Sequence, residues 1–246
     1  MPPEPTLTTE LHHGVLIRKR FREQDLTIVN DVVRDDCYRV TDLPKPTLTV
    51  VDIGAHIGSF AVHIKRHRPE AHIVCVEANR RNLHMLNKNV GRFATIHGAA
   101  CGYDHPVKVL STVHHGSPTT GGSFVSEVDD ESWRELHNRN EYVPESDLVE
   151  PITLEQICQH PTTSRCRTSW GHIDLLKLDC EGSEFPILER TTMLDRIGCI
   201  VGEWHDRERF MRMVDSERFA KFTLDVLRDG ELGLFRLSRG DWWNMD

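Results

Sequence analysis

Carboxylates and glycines gather in two short stretches. TLTVVDIGAHIGSF, Thr47 to Phe60, ends a run of strand-forming residues in Asp52 and follows it with Gly54 and Gly58. IDLLKLDCEGSEFPIL, from Ile173, packs Asp179, Glu181 and Glu184 into six residues. Three carboxylates in so short a turn repel one another unless a cation or a shared proton compensates, and such crowding points to chemistry. Lys177 should lie on the same side of the strand as Asp179 and offset part of the charge. Downstream, GEWHD brings Glu203, His205 and Asp206 to the end of a further strand. A plainer reading of part of this cluster has Glu184 favouring a helix N-terminus and Glu203 pairing with Lys177.

Positioning these groups requires a scaffold. TLTVVDI, HIVCVEA, FATIHGAA, PVKVLS, HIDLLKLD, IGCIVGEW and ELGLFRLS read as strands, several apolar on both faces. SFAVHIKRHR, NRRNLHMLNKNV (Asn79 as N-cap), GSEFPILER and a long stretch from Arg207 to Asp229 read as helices. Strict alternation predicts a doubly wound, mostly parallel α/β sheet with helices on both faces. Residues 1–43 are expected to be a partly flexible N-terminal extension of short strands and a helix near IVNDVVRDD. The main domain then spans 44–246, with an irregular insert at about 111–150 on the substrate side.

Ligands of such sheets sit outside the carboxyl ends of the strands. Gly54 and Gly58 allow a tight turn and close backbone approach, and the next helix points its N–H groups at the ligand. Asp52 would be a poor neighbour for a pyrophosphate and a good one for a cation. Glu77, 23 residues after Gly54, is placed to accept hydrogen bonds from a ribose diol. A nucleoside with a positive charge, S-adenosylmethionine, fits both acids. A dinucleotide fits less well, because DIGAHIG lacks the Gly-x-Gly-x-x-Gly pattern.

VVDIGAHIGSF, VEANRRNLHMLNKNV, ITLEQI and IDLLKLDCEGSEFPILE, in that order, resemble the FkbM family of S-adenosylmethionine-dependent methyltransferases. DVVRDDCYRV adds a fainter echo of a helix ending in a tyrosine. The resemblance implies a Rossmann-like class I methyltransferase fold and an O-methyltransferase acting on a hydroxyl of a sugar, polyketide or other secondary metabolite. It maps the cofactor loop onto Asp52, Gly54, Ala55 and Gly58, with His56 where asparagine is common, and the ribose acid onto Glu77, followed by Ala78 where proline is usual. The insert follows no pattern of the family, so the acceptor does not carry over.

Methyl transfer to an alcohol requires alignment and removal of the hydroxyl proton. Asp179, Glu181, His205 and, more distantly, Glu203 are the candidate catalytic groups. His205 is first choice as base because an ordinary histidine titrates near neutrality, with Asp179 orienting the substrate or sharing the task. A second version has Asp179, Glu181 and Glu203 holding a divalent cation that acidifies the hydroxyl. Two rival functions remain at this level, a nicotinamide-dependent oxidoreductase and a non-catalytic nucleotide-binding module.

Composition narrows the partners. A net charge of −8 with scattered Lys and Arg argues against nucleic acid, and no apolar run is long enough to cross a membrane. Seven irregularly spaced cysteines indicate a reduced, cytoplasmic protein. The fifteen histidines form no metal signature. His63 and His67 are one turn apart without a completing carboxylate, and surface or loop positions are expected for them, for His12-His13 and for His114-His115. Cys158 and Cys166 lack a second pair. Trp133, Tyr142 and the His114-His115 pair are candidates to line an acceptor pocket. Trp242 and Trp243 either join two copies of the chain into a homo-oligomer or fold back on the sheet.

Overall fold

In the computed structural model, residues 8–44, 48–114, 117–126, 142–144, 148–159 and 171–242 are described, with side chains described outside 111–147. β1 (Thr9–His12) and β2 (Val15–Arg18) form a hairpin. Its His13-Gly14 turn has positive φ at both residues (46° and 80°), which matches the twist of the strands it joins. Helix α1 (Arg22–Val29) runs on into one π-helical turn, Asn30–Arg34.

The central sheet then builds as β3 (Thr49–Ile53), α2 (Ser59–His67), β4 (His72–Val76), α3 (Arg80–Val90) and β5 (Ala94–His97). β6 (Ala100–Cys101) follows, and the chain later forms β10 (Pro151–Ile152), parallel to β6, and α4 (Leu154–Gln159). It returns to the sheet as β11 (Ile173–Leu178), α5 (Glu184–Arg190), β12 (Ile197–Trp204), α6 (Arg207–Val214), β13 (Thr223–Arg228) and β14 (Gly233–Ser238). The strand order is β13-β14-β12-β11-β3-β4-β5. β12, β11, β3, β4 and β5 are mutually parallel, and β14 is antiparallel to both of its neighbours. Every residue of β11 is buried, as expected of a strand covered by helices on both faces. Asn79 caps α3 as expected, accepting the Arg81 N–H at 2.8 Å.

The direction of winding reverses between β3 and β11, so their carboxyl ends flank a crevice. The register sets Lys177 beside Asp52 and Leu178 beside Ile53. Gly54 follows at φ 75°, where an added Cβ would meet the Asp179 carbonyl oxygen at 1.8 Å. That contact makes glycine obligatory at the strand tip.

Three expectations need correction. The helix from Arg207 to Asp229 stops at Val214, and Thr223–Arg228 is the edge strand β13. Its exposure on both faces blurs the apolar alternation that marks a strand, and only its pairing with β14 reveals it. The described part of the 111–150 insert is not irregular. β7 (Lys108–His114), β8 (Ser117–Ser126) and β9 (Tyr142–Pro144) form a three-stranded antiparallel sheet in the order β8-β7-β9, and β8 runs beside α1. His63 is no surface residue, since it is buried with Nε2 3.1 Å from Asp36 Oδ1.

The segment ahead of β3 is knitted into the core. Val15, Ile17, Val29 and Tyr38 are buried against α2 and the sheet, and Asn89 of α3 clasps the backbone of Leu16 through both its N–H and its carbonyl. Trp242 folds back on the sheet. Its indole N–H donates to Asp174 Oδ1 at 3.1 Å, and its ring lies where a Cβ on Gly198 would be. The described cysteines are all free, and no helix among the described residues is long and apolar enough to cross a membrane. Trp133, His115, Cys166 and Trp243 lie outside the described residues, as do the side chains of His114 and Tyr142.

Candidate active site

A cleft opens at the carboxyl ends of β3, β4 and β11. Of the residues singled out in the sequence, Gly54, Ala55, His56, Glu77, Ala78, Asp179 and Glu181 line it. Asp52, Gly58, Glu203 and His205 do not. Gly58 (φ 92°) serves packing instead, since a Cβ there would strike Val90 and Leu86 of α3.

Asp52 lies beneath the floor, fully buried, with Lys177 Nζ 3.2 Å from Oδ1. The expected direct contact between Asp52 and a cationic ligand is therefore corrected, because Lys177 stands at the cleft in its place. Lys177 also donates to the Gly54 carbonyl at 2.7 Å and lies 3.7 Å from Asp179 Oδ2. Burial disfavours its charge, but Asp52 and Asp179 outweigh that and raise its pKa. One lysine thus ties β11 to the glycine turn and neutralises two strand-tip acids.

Glu77, 7% exposed, is held by two backbone N–H groups. His56 donates to Oε2 at 2.7 Å and Asn79 to Oε1 at 2.8 Å. Its pKa is nonetheless raised, because burial outweighs those hydrogen bonds. Oε1 also accepts from Asn82 Nδ2 at 3.4 Å, and Oε2 retains a lone pair for a further donor.

Asp179 accepts the Tyr38 hydroxyl at 3.0 Å. Burial alone would raise its pKa, but Lys177, His205 and Tyr38 hold it below the ordinary carboxylate value. Glu203 is paired with Arg228 at 3.1 Å, not with Lys177 as the plainer reading had it. Burial and the nearby Asp179 charge raise the Glu203 pKa.

His205 sits between Glu184, 3.1 Å from Nδ1, and Glu181, 3.2 Å from Nε2. Burial would lower its pKa, yet hydrogen bonds to the two carboxylates overrule it and push the value up to about 11. An imidazole protonated through neutrality cannot accept a proton, which removes the reason for placing His205 first as base. Its charge instead binds the Glu181–Glu184 turn to the end of β12. Since the folded pKa lies above the ordinary 6.5, this stabilisation is complete below about pH 6.5 and is lost as pH rises toward about 11. Urea unfolding should show the wild-type advantage over His205→Gln shrinking between roughly pH 6 and pH 9; a constant difference would refute the assignment.

Asp179, Glu203 and His205 bring ligand atoms within 4.8 Å of one another, a spacing a metal ion could bridge. Each is already matched by a protein partner of opposite charge, however: Lys177, Arg228 and the two glutamates.

Sequence reasoning missed several lining residues. Ile28 and Val32 come from α1 and its π-helical turn, and Ser59 opens α2. Ser59 Oγ and His56 Nδ1 are buried without hydrogen-bond partners. Ser59 was detectable as the first residue of the helix after the glycine turn. Ile28 and Val32 gave no signal, because nothing local reveals that an N-terminal helix crosses the strand tips.

A parallel sheet reversing beside β3, with one antiparallel strand near its edge and an acidic cleft at the strand tips, defines a Rossmann-like class I methyltransferase fold. Residues 52–229 match the methyltransferase FkbM domain, and the chain belongs to that family. This confirms the resemblance read from the motifs and sets the nicotinamide reading aside. Methyltransferase sdnD of Sordaria araneosa is 24% identical over 174 residues, covering 66% of this chain and 67% of that protein. Among solved structures, a methyltransferase FkbM from Methylobacillus flagellatus KT is 13% identical with a TM-score of 0.48, covering 81% of this chain and 46% of that one. A precorrin-6y C5,15-methyltransferase from Geobacter metallireducens GS-15 is 13% identical with a TM-score of 0.45, covering 85% and 87%.

Proposed function

We propose that the protein is an S-adenosylmethionine-dependent O-methyltransferase acting on a hydroxyl of a small molecule, of the sugar, polyketide or secondary-metabolite kind. The observation that carries this reading is an ionised Asp179 at the tip of β11 sharing one cleft with the Glu77 carboxylate at the end of β4. The unpartnered buried groups on His56 and Ser59, beside the start of α2, fit a ligand rich in acceptors. Glu77 and the turn from Gly54 to Ser59 would hold the cofactor, with Ala78 against it. When bound, S-adenosylmethionine supplies a methyl group activated by a sulfonium.

The rest is the work of this chain. Asp179, kept ionised by Lys177 and Tyr38, orients the acceptor hydroxyl and takes its proton as the new bond forms. A carboxylate below its ordinary pKa is a weak base, which suffices where the proton is lost late. Glu181 borders the same cleft, while Glu203 and His205 stand behind as charge-balancing supports. The described ion pairs balance these acids with protein cations, so EDTA is expected to leave turnover unchanged. The overall charge of −8 favours a small-molecule acceptor over nucleic acid.

Glu77→Ala should weaken S-adenosylhomocysteine binding by about 10- to 100-fold in calorimetry, because a buried charge-assisted acceptor is lost. Unchanged affinity would sink the cofactor assignment. The acceptor class is tested by offering hydroxylated small molecules and RNA in parallel and following S-adenosylhomocysteine release; methylation of RNA alone would overturn it.

A further inference from the structure

Arg18 and Asp25 lie ahead of the family-matched region and form the most deeply buried ion pair among the described residues, at 2% and 0% side-chain exposure. The pair reaches the cleft through His56. A guanidinium has five N–H donors and no acceptor. Arg18 Nε donates to Asp25 Oδ2 at 2.9 Å, and Nη2 to Asp25 Oδ1 at 2.6 Å. Nη1 faces Asn82 Oδ1 at 2.9 Å and the Arg81 carbonyl at 3.5 Å. The remaining Nη2 hydrogen is directed at His56 Nε2, 3.2 Å away.

Because Arg18 can only donate, Nε2 must accept, and the imidazole proton is left on Nδ1. Asp25 Oδ1, 3.7 Å from Nε2, is too distant to reverse this. Burial and the Arg18 charge also lower the His56 pKa to about 4, so the ring stays neutral. Nδ1 is buried and unpartnered, on a residue that is 9% exposed and lines the cleft. A buried donor without a partner is costly unless a ligand satisfies it.

We propose that the Arg18–Asp25 pair fixes the Nδ1–H tautomer of His56, and that this N–H donates to an acceptor atom of the cofactor. The inference rests on the cofactor reading above. It makes Arg18 and Asp25 positioning residues and gives the N-terminal segment a part in cofactor recognition.

The test combines calorimetry with S-adenosylhomocysteine and nitrogen-15 spectroscopy of the histidine rings. His56→Ala should weaken binding about tenfold, whereas His56→Asn, whose Nδ2 overlies the imidazole Nδ1 and which tolerates the left-handed backbone (φ 51°), should stay within about threefold. Replacing both partners, Arg18→Met with Asp25→Leu, leaves no unpaired buried charge. That pair variant should weaken binding several-fold when His56 is present and have no effect in the His56→Asn background, a coupling that a purely structural role would not produce. In the wild type, without cofactor, the His56 proton should reside on Nδ1. A proton on Nε2, or His56→Asn as weak as His56→Ala, would overturn the proposal, and both remain measurable should the pair variant fail to fold. Failure of the wild type to bind S-adenosylhomocysteine would instead overturn the reading beneath it, leaving the tautomer assignment standing.

Discussion

Asp179→Asn is expected to lower kcat by about 10²- to 10⁴-fold, the range associated with losing a positioned proton acceptor. S-adenosylhomocysteine affinity should change by no more than about threefold, because the interaction removed is made to the acceptor and the reacting oxygen. The amide keeps the shape and can still accept from Tyr38, but it cannot take up a proton. The adjacent Tyr38→Phe variant separates charge from position. Tyr38 bonds to the ionised form of Asp179, so its removal should raise the Asp179 pKa and shift the acid limb of the kcat profile to higher pH. Equal losses of turnover and cofactor affinity in Asp179→Asn would show that this carboxylate binds the cofactor and does not serve the acceptor.

Lys177→Met carries the second large effect, on stability. Lys177 Nζ is the cation 3.2 Å from fully buried Asp52 and 3.7 Å from Asp179. Removing one member of a buried ion pair strands the other, which costs about 3–5 kcal/mol. The loss should appear as an earlier urea midpoint with an unchanged slope. It should be relieved at acid pH, since an unpaired buried Asp52 has a folded pKa above its unfolded one and is destabilising only while ionised. Adding Asp52→Leu should recover most of the loss, because replacing both partners by apolar groups leaves no charge in the interior. A cost below about 1 kcal/mol for Lys177→Met alone would mean that the pair contributes little to holding β3 against β11.

His205 and Asp52 show where residue type misleads. The ordinary pKa of histidine makes His205 the first choice as base and the charge of Asp52 suits a cationic ligand, but the neighbours of each override that reading. His205 lost its place as base because Glu181 and Glu184 hold its proton. Asp52 lost its ligand contact because Lys177 lies between it and the cleft. Gly54, Glu77 and Asp179 line the cleft because each directly follows the last residue of β3, β4 or β11, the strands whose carboxyl ends form it.

The sequence by itself determined the parallel sheet, the family and the positions of the strand-tip acids. These depend on the alternation of apolar runs with helices and on glycines whose conformations no other residue adopts cheaply. The tertiary structure alone decided the edge strand β13, the antiparallel sheet in the insert, the packing of α1 across the cleft and the Arg18–Asp25–His56 chain. The physical reason is distance along the chain. Arg18 and His56 are 38 positions apart and Tyr38 and Asp179 are 141 apart, and a titratable group buried beside a partner so remote in sequence acquires its protonation state from that partner and not from its own residue type.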